Sequence, residues 1–326
     1  MLISKTNNFK KDGIGMSFAF VFPGQGSQSL KMMDGLLGFE IIKQTFLKAE
    51  EILGINYLKM LQEDNSQNIN QTINTQPLML TAGFAVYQLW LELHGRKPVQ
   101  LAGHSLGEWT ALVASNVINF EDALRLVKLR ATLMQQAVPE GNGAMVAVLG
   151  LEDSIIIEAC REVVNRGLGV VAGVNFNSPG QVVIAGNKNA VSVASDLLKE
   201  RGAKRVQLLP LSVPSHCSLM LSASEKLAKE LTKIHFNKPE IPVIHNYNVE
   251  IYSNTNLIKD ALIKQLYSPV LWTSVIRKIV DGGINQIVEC GPGKVLSSLN
   301  KRIKDNIISY NLNTEEDFNK ALSELN

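Results

Sequence analysis

The chain has 326 residues, of which 45% are apolar and 19% are charged, and its formal net charge is +2. This composition is typical of a globular protein with a sizeable core, and the length favours one large domain or one domain with an insertion. A net charge so near zero gives no strong field toward nucleic acid or membranes, and we expect neither as a partner.

Three cysteines, Cys160, Cys217 and Cys290, are widely spaced and match neither a metal-ligand pattern nor a disulfide framework. We therefore expect no metal site and a reducing, cytoplasmic location. Residues 1–15 lack the apolar segment of a signal peptide, and no later stretch reaches the roughly 20 apolar residues of a membrane span. We expect residues 1–15 to be a disordered extension, with the fold beginning at Met16.

Strands and helices alternate along the first 140 residues. An apolar run predicts a strand at 17–22, followed by the glycine-rich loop P-G-Q-G-S-Q. The periodicity then predicts, in order, helices at 40–53 and 76–94, a buried strand at 98–103, a helix at 106–115 and another from 121 that ends before Pro139. Such alternation favours an α/β fold with a parallel sheet.

The middle of the chain has a different order of elements. Residues 141–213 predict strands at 143–149, 169–175, 181–186 and 203–211, with helices at 151–165 and 188–201. The order βαββαβ is that of a ferredoxin-like unit. We therefore expect a small subdomain at 141–213, inserted into a large domain made of 16–140 and 214–326. In the second part of that domain the patterns predict helices at 218–234 and 257–266, strands at 241–246 and 284–290, and a final helix after G-P-G-K.

The candidate nucleophile lies in L-A-G-H-S-L-G-E-W at 101–109. Gly103 and Gly107 lie two residues before and after Ser105, which matches the motif G-x-S-x-G. The motif falls between a predicted strand and a predicted helix. Glycines allow a sharp strand-to-helix turn that presents the serine beside backbone N–H groups. A purely structural turn is the alternative, but the context favours a nucleophile.

A serine hydroxyl needs a base, and the chain has five histidines. His216 lies in V-P-S-H-C, where the chain returns from the small subdomain to the large one, so it would line the cleft between them. His104 adjoins the serine but points elsewhere from such a turn, which predicts a supporting role. His245 is equally compatible with a satisfied histidine in a strand.

Arg130 falls on the apolar side of the helix that begins near 121, in L-V-K-L-R-A-T-L-M. By pattern alone an arginine that reaches a surface partner is favoured. The functional alternative is a planar cation in the cleft wall, which would bind a substrate carboxylate through two hydrogen bonds.

Taken together, these motifs resemble the malonyl-CoA:acyl carrier protein transacylases of bacterial fatty-acid synthesis and the related acyltransferase domains of polyketide synthases. The resemblance covers nearly everything from Met16 onward. It is carried by F-V-F-P-G-Q-G-S-Q at 20–28, T-Q-P at 75–77, A-G-H-S-L-G-E at 102–108, R-x-x-x-M-Q at 130–135, G-A-M at 143–145, N-F-N-S-P-G-Q-V-V-I-A-G at 175–186, V-P-S-H-C at 213–217, Q-L-Y-S-P-V-L-W at 265–272 and V-E-C-G-P-G-K-V-L at 288–296.

The resemblance implies an α/β-hydrolase-like core with a ferredoxin-like insert, and it implies roles for individual residues. Ser105 matches the nucleophile and His216 the base, with the histidine oriented by the main-chain carbonyl of Gln265. The oxyanion site matches the backbone N–H groups of Gln25 and Leu106. The remaining matches are the carboxylate-binding Arg130, the polar cleft positions Gln76, Asn175 and Asn177, and a basic pair near the CoA phosphates, Lys204 and Arg205.

The implied activity is transfer of malonyl from malonyl-CoA to the phosphopantetheine thiol of an acyl carrier protein, with no permanently bound cofactor and a monomeric enzyme. Two alternatives stay open, a trans-acting polyketide acyltransferase and a serine thioesterase or esterase. The serine before the base, Ser215, also leaves open whether branched malonyl donors are accepted.

Overall fold

The computed structural model describes residues 17–63, 68–210 and 213–326. The expected disordered extension at 1–15 lies outside these residues. In the described part the strands are β1 (Phe18–Phe22), β2 (Gln100–Gly103), β3 (Gly143–Leu149), β4 (Val171–Ser178), β5 (Gln181–Asn187), β6 (Arg205–Leu208), β7 (Val243–Ile244), β8 (Gln286–Glu289) and β9 (Ile308–Asn311).

The helices of the same part are α1 (Glu40–Leu53), α2 (Tyr57–Glu63), α3 (Thr72–Glu92), α4 (Gly107–Ala114), α5 (Phe120–Ala137), α6 (Asp153–Asn165), α7 (Lys188–Glu200), α8 (Leu221–Leu231), α9 (Thr255–Gln265), α10 (Trp272–Asp281), α11 (Val295–Ile303) and α12 (Glu315–Leu325). Short 3-10 turns lie at Asp34–Leu36, Asn68–Asn70 and Ser218–Met220. None of these helices has both the length and the apolar character needed to cross a membrane.

The larger sheet is parallel, with the order β7-β2-β1-β8-β9. The central strand β1 is buried on both faces. Phe18 and Phe20 pack edge-on against Trp90 of α3 on one face, whereas Ala19 and Val21 contact the cluster around Trp272 of α10 on the other. Burial on both faces explains why this strand is a continuous apolar run rather than an alternating one.

The second sheet is antiparallel, with the order β4-β5-β3-β6 and the connection βαββαβ. One face is covered by α6 and α7, whose apolar residues form a core of their own. At β4 this sheet is joined to the segment before α10, since the N–H of Phe176 donates to the carbonyl of Val270 at 2.9 Å and the N–H of Val270 donates to the carbonyl of Val174 at 2.8 Å. The predicted α/β fold with a parallel sheet and a separate small sheet is therefore confirmed.

Helix α3 begins at Thr72, four residues before its predicted start, and continues through Pro77. Proline has no N–H, so the carbonyl of Ile73 loses its partner one turn back. That carbonyl accepts a hydrogen bond from Nζ of Lys128 on α5 at 3.2 Å. A contact between helices therefore replaces the missing bond, and no local pattern predicts it.

Other differences lie in the second half of the chain. The strand predicted at 241–246 shortens to Val243–Ile244, because His245 turns back to donate its N–H to the carbonyl of Glu250. The elements α2, α10, β9 and α12 were not predicted. Helix α10 contains W-T-S-V-I-R-K-I-V-D, whose β-branched residues favour strands locally, but its apolar face packs on the large sheet.

Candidate active site

Ser105 lies in the turn between β2 and α4 and has a φ of +50°. A Cβ on Gly103 would lie 2.0 Å from the carbonyl of Gly107, and one on Gly107 would lie 2.0 Å from the carbonyl oxygen of Phe22. Both positions therefore exclude any larger residue. The two glycines let α4 start directly against β1 and β2, as the G-x-S-x-G motif predicts.

The structure brings His216 to this serine although 111 residues separate them. Nε2 of His216 lies 2.7 Å from Oγ of Ser105, and Nδ1 lies 2.7 Å from the main-chain carbonyl oxygen of Gln265. A carbonyl can only accept, so Nδ1 carries the proton and Nε2 is free to accept one from the serine. The chemistry of a serine–base pair is thus complete without an aspartate.

Arg130 projects from α5 into the same place, and its side chain is buried. Nη2 donates to Oγ of Ser105 at 3.3 Å and to Oε1 of Gln265 at 3.1 Å, and Nη1 donates to Oε1 of Gln76 at 2.5 Å. Its Nε is buried and has no hydrogen-bond partner among the described residues. The geometry favours the cleft-wall interpretation of this arginine over the surface one.

The glycine-rich loop after β1 contacts the serine turn directly. A Cβ on Gly24 would lie 2.4 Å from the carbonyl oxygen of His104 and 3.6 Å from the N of Leu106. Gln25 and Leu106 both line the cavity at Ser105. In the hydrogen bonds between described residues, neither of their backbone N–H groups donates to a backbone carbonyl. Both groups are available to a developing oxyanion in this cavity.

The cavity at Ser105 is small, about 50 Å³, and opens beside a groove of about 420 Å³. Gln25, His104, Met145 and Asn175 line both, so cavity and groove are continuous between the two sheets. A separate groove of about 660 Å³ beside β3, β6 and α7 contains none of the candidate residues.

Three polar residues predicted for the cleft lie there. Nε2 of His104 donates to Oδ1 of Asn177 at 2.8 Å, which links the serine turn to β4 across the groove. Asn175 lines the cavity, and its Oδ1 is buried without a partner among the described residues. Gln76 is buried and bonded to Arg130.

The predicted basic pair is placed differently. Lys204 and Arg205 are exposed at the start of β6 and do not line the cavity or the groove described above. Lys294 and Arg302 line a further cavity of about 330 Å³, which shares Asn177, Val295 and Leu299 with the groove. Lys294 ends the G-P-G-K motif, but that motif had not indicated a cation beside the groove.

Burial controls the protonation of the site. Burial away from water is the main cause that lowers the pKa of His216 to about 3, and the positive charge of the nearby Arg130 is the second. The free imidazole is therefore neutral. Burial also lowers the pKa of His104. Burial lowers the pKa of Arg130 to about 10, although the negative charge of Glu108 acts to raise it. The guanidinium therefore stays charged at neutral pH. The imidazole is therefore unprotonated and able to accept a proton, beside a guanidinium that keeps its positive charge.

Sequence reasoning missed the polar network beneath the serine. Glu108 and His245 are fully buried and joined by a 2.7 Å contact between Oε1 and Nδ1, and Asn246 accepts the N–H of Ser105 at 2.7 Å. His245 was compatible with a satisfied strand histidine, but it lies just after β7, and only its Nδ1 is paired, because Nε2 is buried without a hydrogen-bond partner among the described residues. The signal that could have found this network is Glu108 itself, an acidic residue within an apolar helix start.

A serine on a strand-to-helix turn of a parallel sheet, paired with a histidine and facing free backbone N–H groups, is characteristic of enzymes that form acyl-serine intermediates. Comparison with known proteins narrows this class. The chain belongs to the acyl transferase domain family, which it matches over residues 19–312. Within the described residues, no group of three or more His, Cys, Asp or Glu side chains could hold a metal ion.

Individual relatives are similar over nearly their whole length. A malonyl CoA-acyl carrier protein transacylase from Escherichia coli (strain K12) is 49% identical over 297 residues, which cover 91% of this chain and 96% of that protein. The crystal structure of an acyl carrier protein S-malonyltransferase from Vibrio cholerae is 48% identical, with a TM-score of 0.91 and coverage of 94% and 99%. A malonyl-transacylase solved in complex with its type II PKS acyl-carrier protein is 46% identical, with a TM-score of 0.92 and the same coverage.

Proposed function

We propose that this protein transfers the malonyl group of malonyl-CoA to the phosphopantetheine thiol of an acyl carrier protein through a malonyl-serine, and so supplies chain elongation in fatty-acid synthesis. The observation that carries the proposal is the 3.3 Å contact between Nη2 of Arg130 and Oγ of Ser105. A buried cation so close to the nucleophile selects an acyl group that ends in a carboxylate. The names of the relatives agree with this substrate.

The first half-reaction acylates the serine. Nε2 of His216 accepts the proton of Ser105 while Oγ bonds to the thioester carbonyl carbon, and the carbonyl electron pair moves onto its oxygen. The N–H groups of Gln25 and Leu106 stabilise this oxyanion. When the tetrahedral intermediate collapses, the C–S bond breaks and the leaving sulfur takes the proton from His216. The products are CoA and malonyl-serine.

The second half-reaction repeats these steps with a new nucleophile. The phosphopantetheine thiol gives its proton to His216 and attacks the malonyl-serine, after which the C–O bond breaks and Ser105 recovers the proton. Throughout, the carbonyl of Gln265 holds Nδ1 of the imidazole and Arg130 holds the malonyl carboxylate. Water in place of the thiol would make the same protein a hydrolase.

The polar residues of the cleft have supporting roles in this proposal. Gln76 fixes one side of the guanidinium of Arg130, and the unpaired Oδ1 of Asn175 suits an N–H donor of the bound thioester arm. Asn177 and His104 link the two sides of the cleft. The contact of Lys204 and Arg205 with the CoA phosphates stays a prediction.

The architecture is interpreted in the same terms. We assign 16–140 and 214–326 to an α/β-hydrolase-like large domain and 141–213 to a ferredoxin-like subdomain. The antiparallel order β4-β5-β3-β6 and the connection βαββαβ support this division. A monomeric state, a cytoplasmic location and the lack of a permanently bound cofactor stay predictions from the sequence.

Intact mass spectrometry after incubation with malonyl-CoA tests the function. We expect the wild-type protein to gain one malonyl group, which a phosphopantetheinylated acyl carrier protein then removes. Ser105→Ala should lose the adduct, and Ser215→Ala, a change in the lining of the same cavity, should retain it. Release of CoA without an adduct or malonyl transfer would indicate the thioesterase or esterase alternative.

A second acceptor is favoured by one of the comparisons. The relative that is 46% identical was solved with a type II PKS acyl-carrier protein. A trans-acting role in polyketide synthesis therefore stands beside the fatty-acid role for this chain. Transfer rates to a fatty-acid carrier and to a type II PKS carrier, each offered malonyl-, methylmalonyl- and acetyl-CoA as donor, separate the two roles and also decide whether branched donors are accepted.

A further inference from the structure

Glu108 lies in the first turn of α4, three residues after Ser105, and is fully buried. Its carboxylate accepts three hydrogen bonds, from Nδ1 of His245 at 2.7 Å, from the N–H of Asn246 at 2.9 Å and from Nε2 of Gln265 at 2.8 Å. A buried carboxylate is costly to desolvate unless donors such as these surround it. The mechanism above leaves this arrangement without a role.

A first connection leads from Glu108 to the backbone of the nucleophile. Asn246, whose N–H is held by Glu108, accepts the N–H of Ser105 through Oδ1 at 2.7 Å and donates from Nδ2 to the carbonyl of Gly103 at 2.7 Å. One amide therefore holds both sides of a turn whose φ at Ser105 is +50°. Because that conformation is unfavourable for a residue with a Cβ, the turn depends on such external bonds.

A second connection passes through the side chain of Gln265. Its Nε2 donates to Glu108 and to the carbonyl of Ser105 at 2.9 Å, while its Oε1 accepts from Nη2 of Arg130 at 3.1 Å. An amide oxygen cannot donate to a carboxylate, and an amide nitrogen cannot accept from a guanidinium, so the two charges decide which way this amide faces. The main-chain carbonyl of the same residue orients His216.

We propose that Glu108 is a positioning residue for malonyl transfer, an inference that rests on the proposed function. Through its two amide partners it holds the nucleophile, the base and the carboxylate-binding cation in one arrangement. Glu108 does not line the cavity, so it makes no contact with the acyl group. Its negative charge also gives no attraction to malonyl-CoA, which is itself an anion. Loss of that charge should therefore slow the chemical step without weakening the binding of malonyl-CoA.

Glu108→Gln keeps the shape but removes the negative charge and replaces one accepting oxygen with an amide donor. The matched control is Glu289→Gln, which alters another fully buried glutamate that accepts the N–H groups of Leu296 and Ser297 at the start of α11. Rapid-quench mass spectrometry gives the rate of malonyl-serine formation across malonyl-CoA concentrations. Glu108→Gln should lower the saturating rate about 10- to 100-fold, as expected for a misplaced reactive group. The half-saturating concentration should stay within about twofold in Glu108→Gln, and Glu289→Gln should change neither quantity.

Two results would overturn the inference: an unchanged saturating rate in Glu108→Gln, or an equal loss in Glu289→Gln, which would indicate general destabilisation. If circular dichroism shows Glu108→Gln to be unfolded, Asn246→Ala tests the first connection. A slower saturating rate there supports the inference and an unchanged one contradicts it. Failure of the wild-type protein to form malonyl-serine is a different result, because it overturns the proposed function itself.

Discussion

Ser105 and His216 approach to 2.7 Å although both residues hold left-handed backbone, with φ values of +50° and +64°. Such a conformation costs a residue with a Cβ about 1–3 kcal/mol. External bonds compensate on both sides, since the N–H of His216 donates to the carbonyl of Leu266 at 2.9 Å and that of Ser105 donates to Asn246 at 2.7 Å. The surrounding structure thereby keeps both side chains aimed into the cleft.

Arg130→Ala should change donor selectivity. Charge-assisted hydrogen bonds are worth about 1.5–3 kcal/mol each, so loss of a bidentate contact should reduce the malonyl-to-acetyl preference by at least about 100-fold. The acylation efficiencies with malonyl-CoA and acetyl-CoA measure this ratio. Arg125→Ala is the control, because Arg125 lies on the same helix but pairs with Glu121 in solvent. An unchanged ratio in Arg130→Ala would show that the carboxylate is bound elsewhere.

His216 should make stability fall on the acid side. Its pKa is about 3 when folded against 6.5 as the ordinary value, so below pH 6.5 the unfolded chain binds a proton that the native state refuses. Stability from this group is therefore complete above pH 6.5 and declines as the pH falls toward 3, by about 2 kcal/mol between pH 7 and pH 5.

Urea denaturation at pH 7 and pH 5 measures this effect. His216→Gln should lose about 2 kcal/mol less than the wild type over that interval. Ser105→Ala removes a hydroxyl but no titrating group with a shifted pKa, so it should keep the wild-type dependence. Equal pH dependence in His216→Gln and wild type would mean that the imidazole is not held neutral.

Gly103→Ala should damage the fold itself. The added methyl group would lie 2.0 Å from the backbone of Gly107, which side-chain motion cannot relieve. We expect a loss of at least about 3 kcal/mol in the free energy of unfolding, in the range of severe overpacking. Gly38→Ala is the matched change in open space and should stay within about 1 kcal/mol of the wild type. Similar urea midpoints for the two variants would contradict the steric account of the motif.

Lys128 and Pro77 should be thermodynamically coupled. Lys128→Met leaves the carbonyl of Ile73 without its donor, which should cost about 1–3 kcal/mol in the free energy of unfolding. Pro77→Ala restores an N–H that can bond this carbonyl within α3, so the same lysine substitution should cost less in that background. The double-mutant cycle from urea unfolding measures the difference. Additive effects would show that the carbonyl is satisfied in another way.

Local sequence predicted the features that depend on neighbouring residues. The glycines around Ser105 reflect a steric requirement within five residues. The apolar patterns along the chain predicted most of the strands in both sheets and most of the helices. The order βαββαβ at 141–213 was likewise visible, because each element carries its own period. His216 was a candidate from its place at a predicted boundary, and the structure brings it to Ser105.

Other assignments depended on resemblance to a family rather than on pattern. Arg130 lies on an apolar helix face, where the pattern alone favours an arginine that reaches the surface. Gln265 acts on His216 through a main-chain carbonyl, and every residue type has one. The side chain could therefore not reveal that role.

Only the tertiary structure decided the support beneath the site. The bonds from Glu108 join residues 137 and 138 positions away, to His245 and Asn246. The contact of Lys128 with Ile73 likewise joins two helices. Sequence by itself determined where a reactive serine could be presented, because that is a matter of local backbone geometry. Which groups hold it in place follows from packing between distant segments, and no short pattern encodes those contacts.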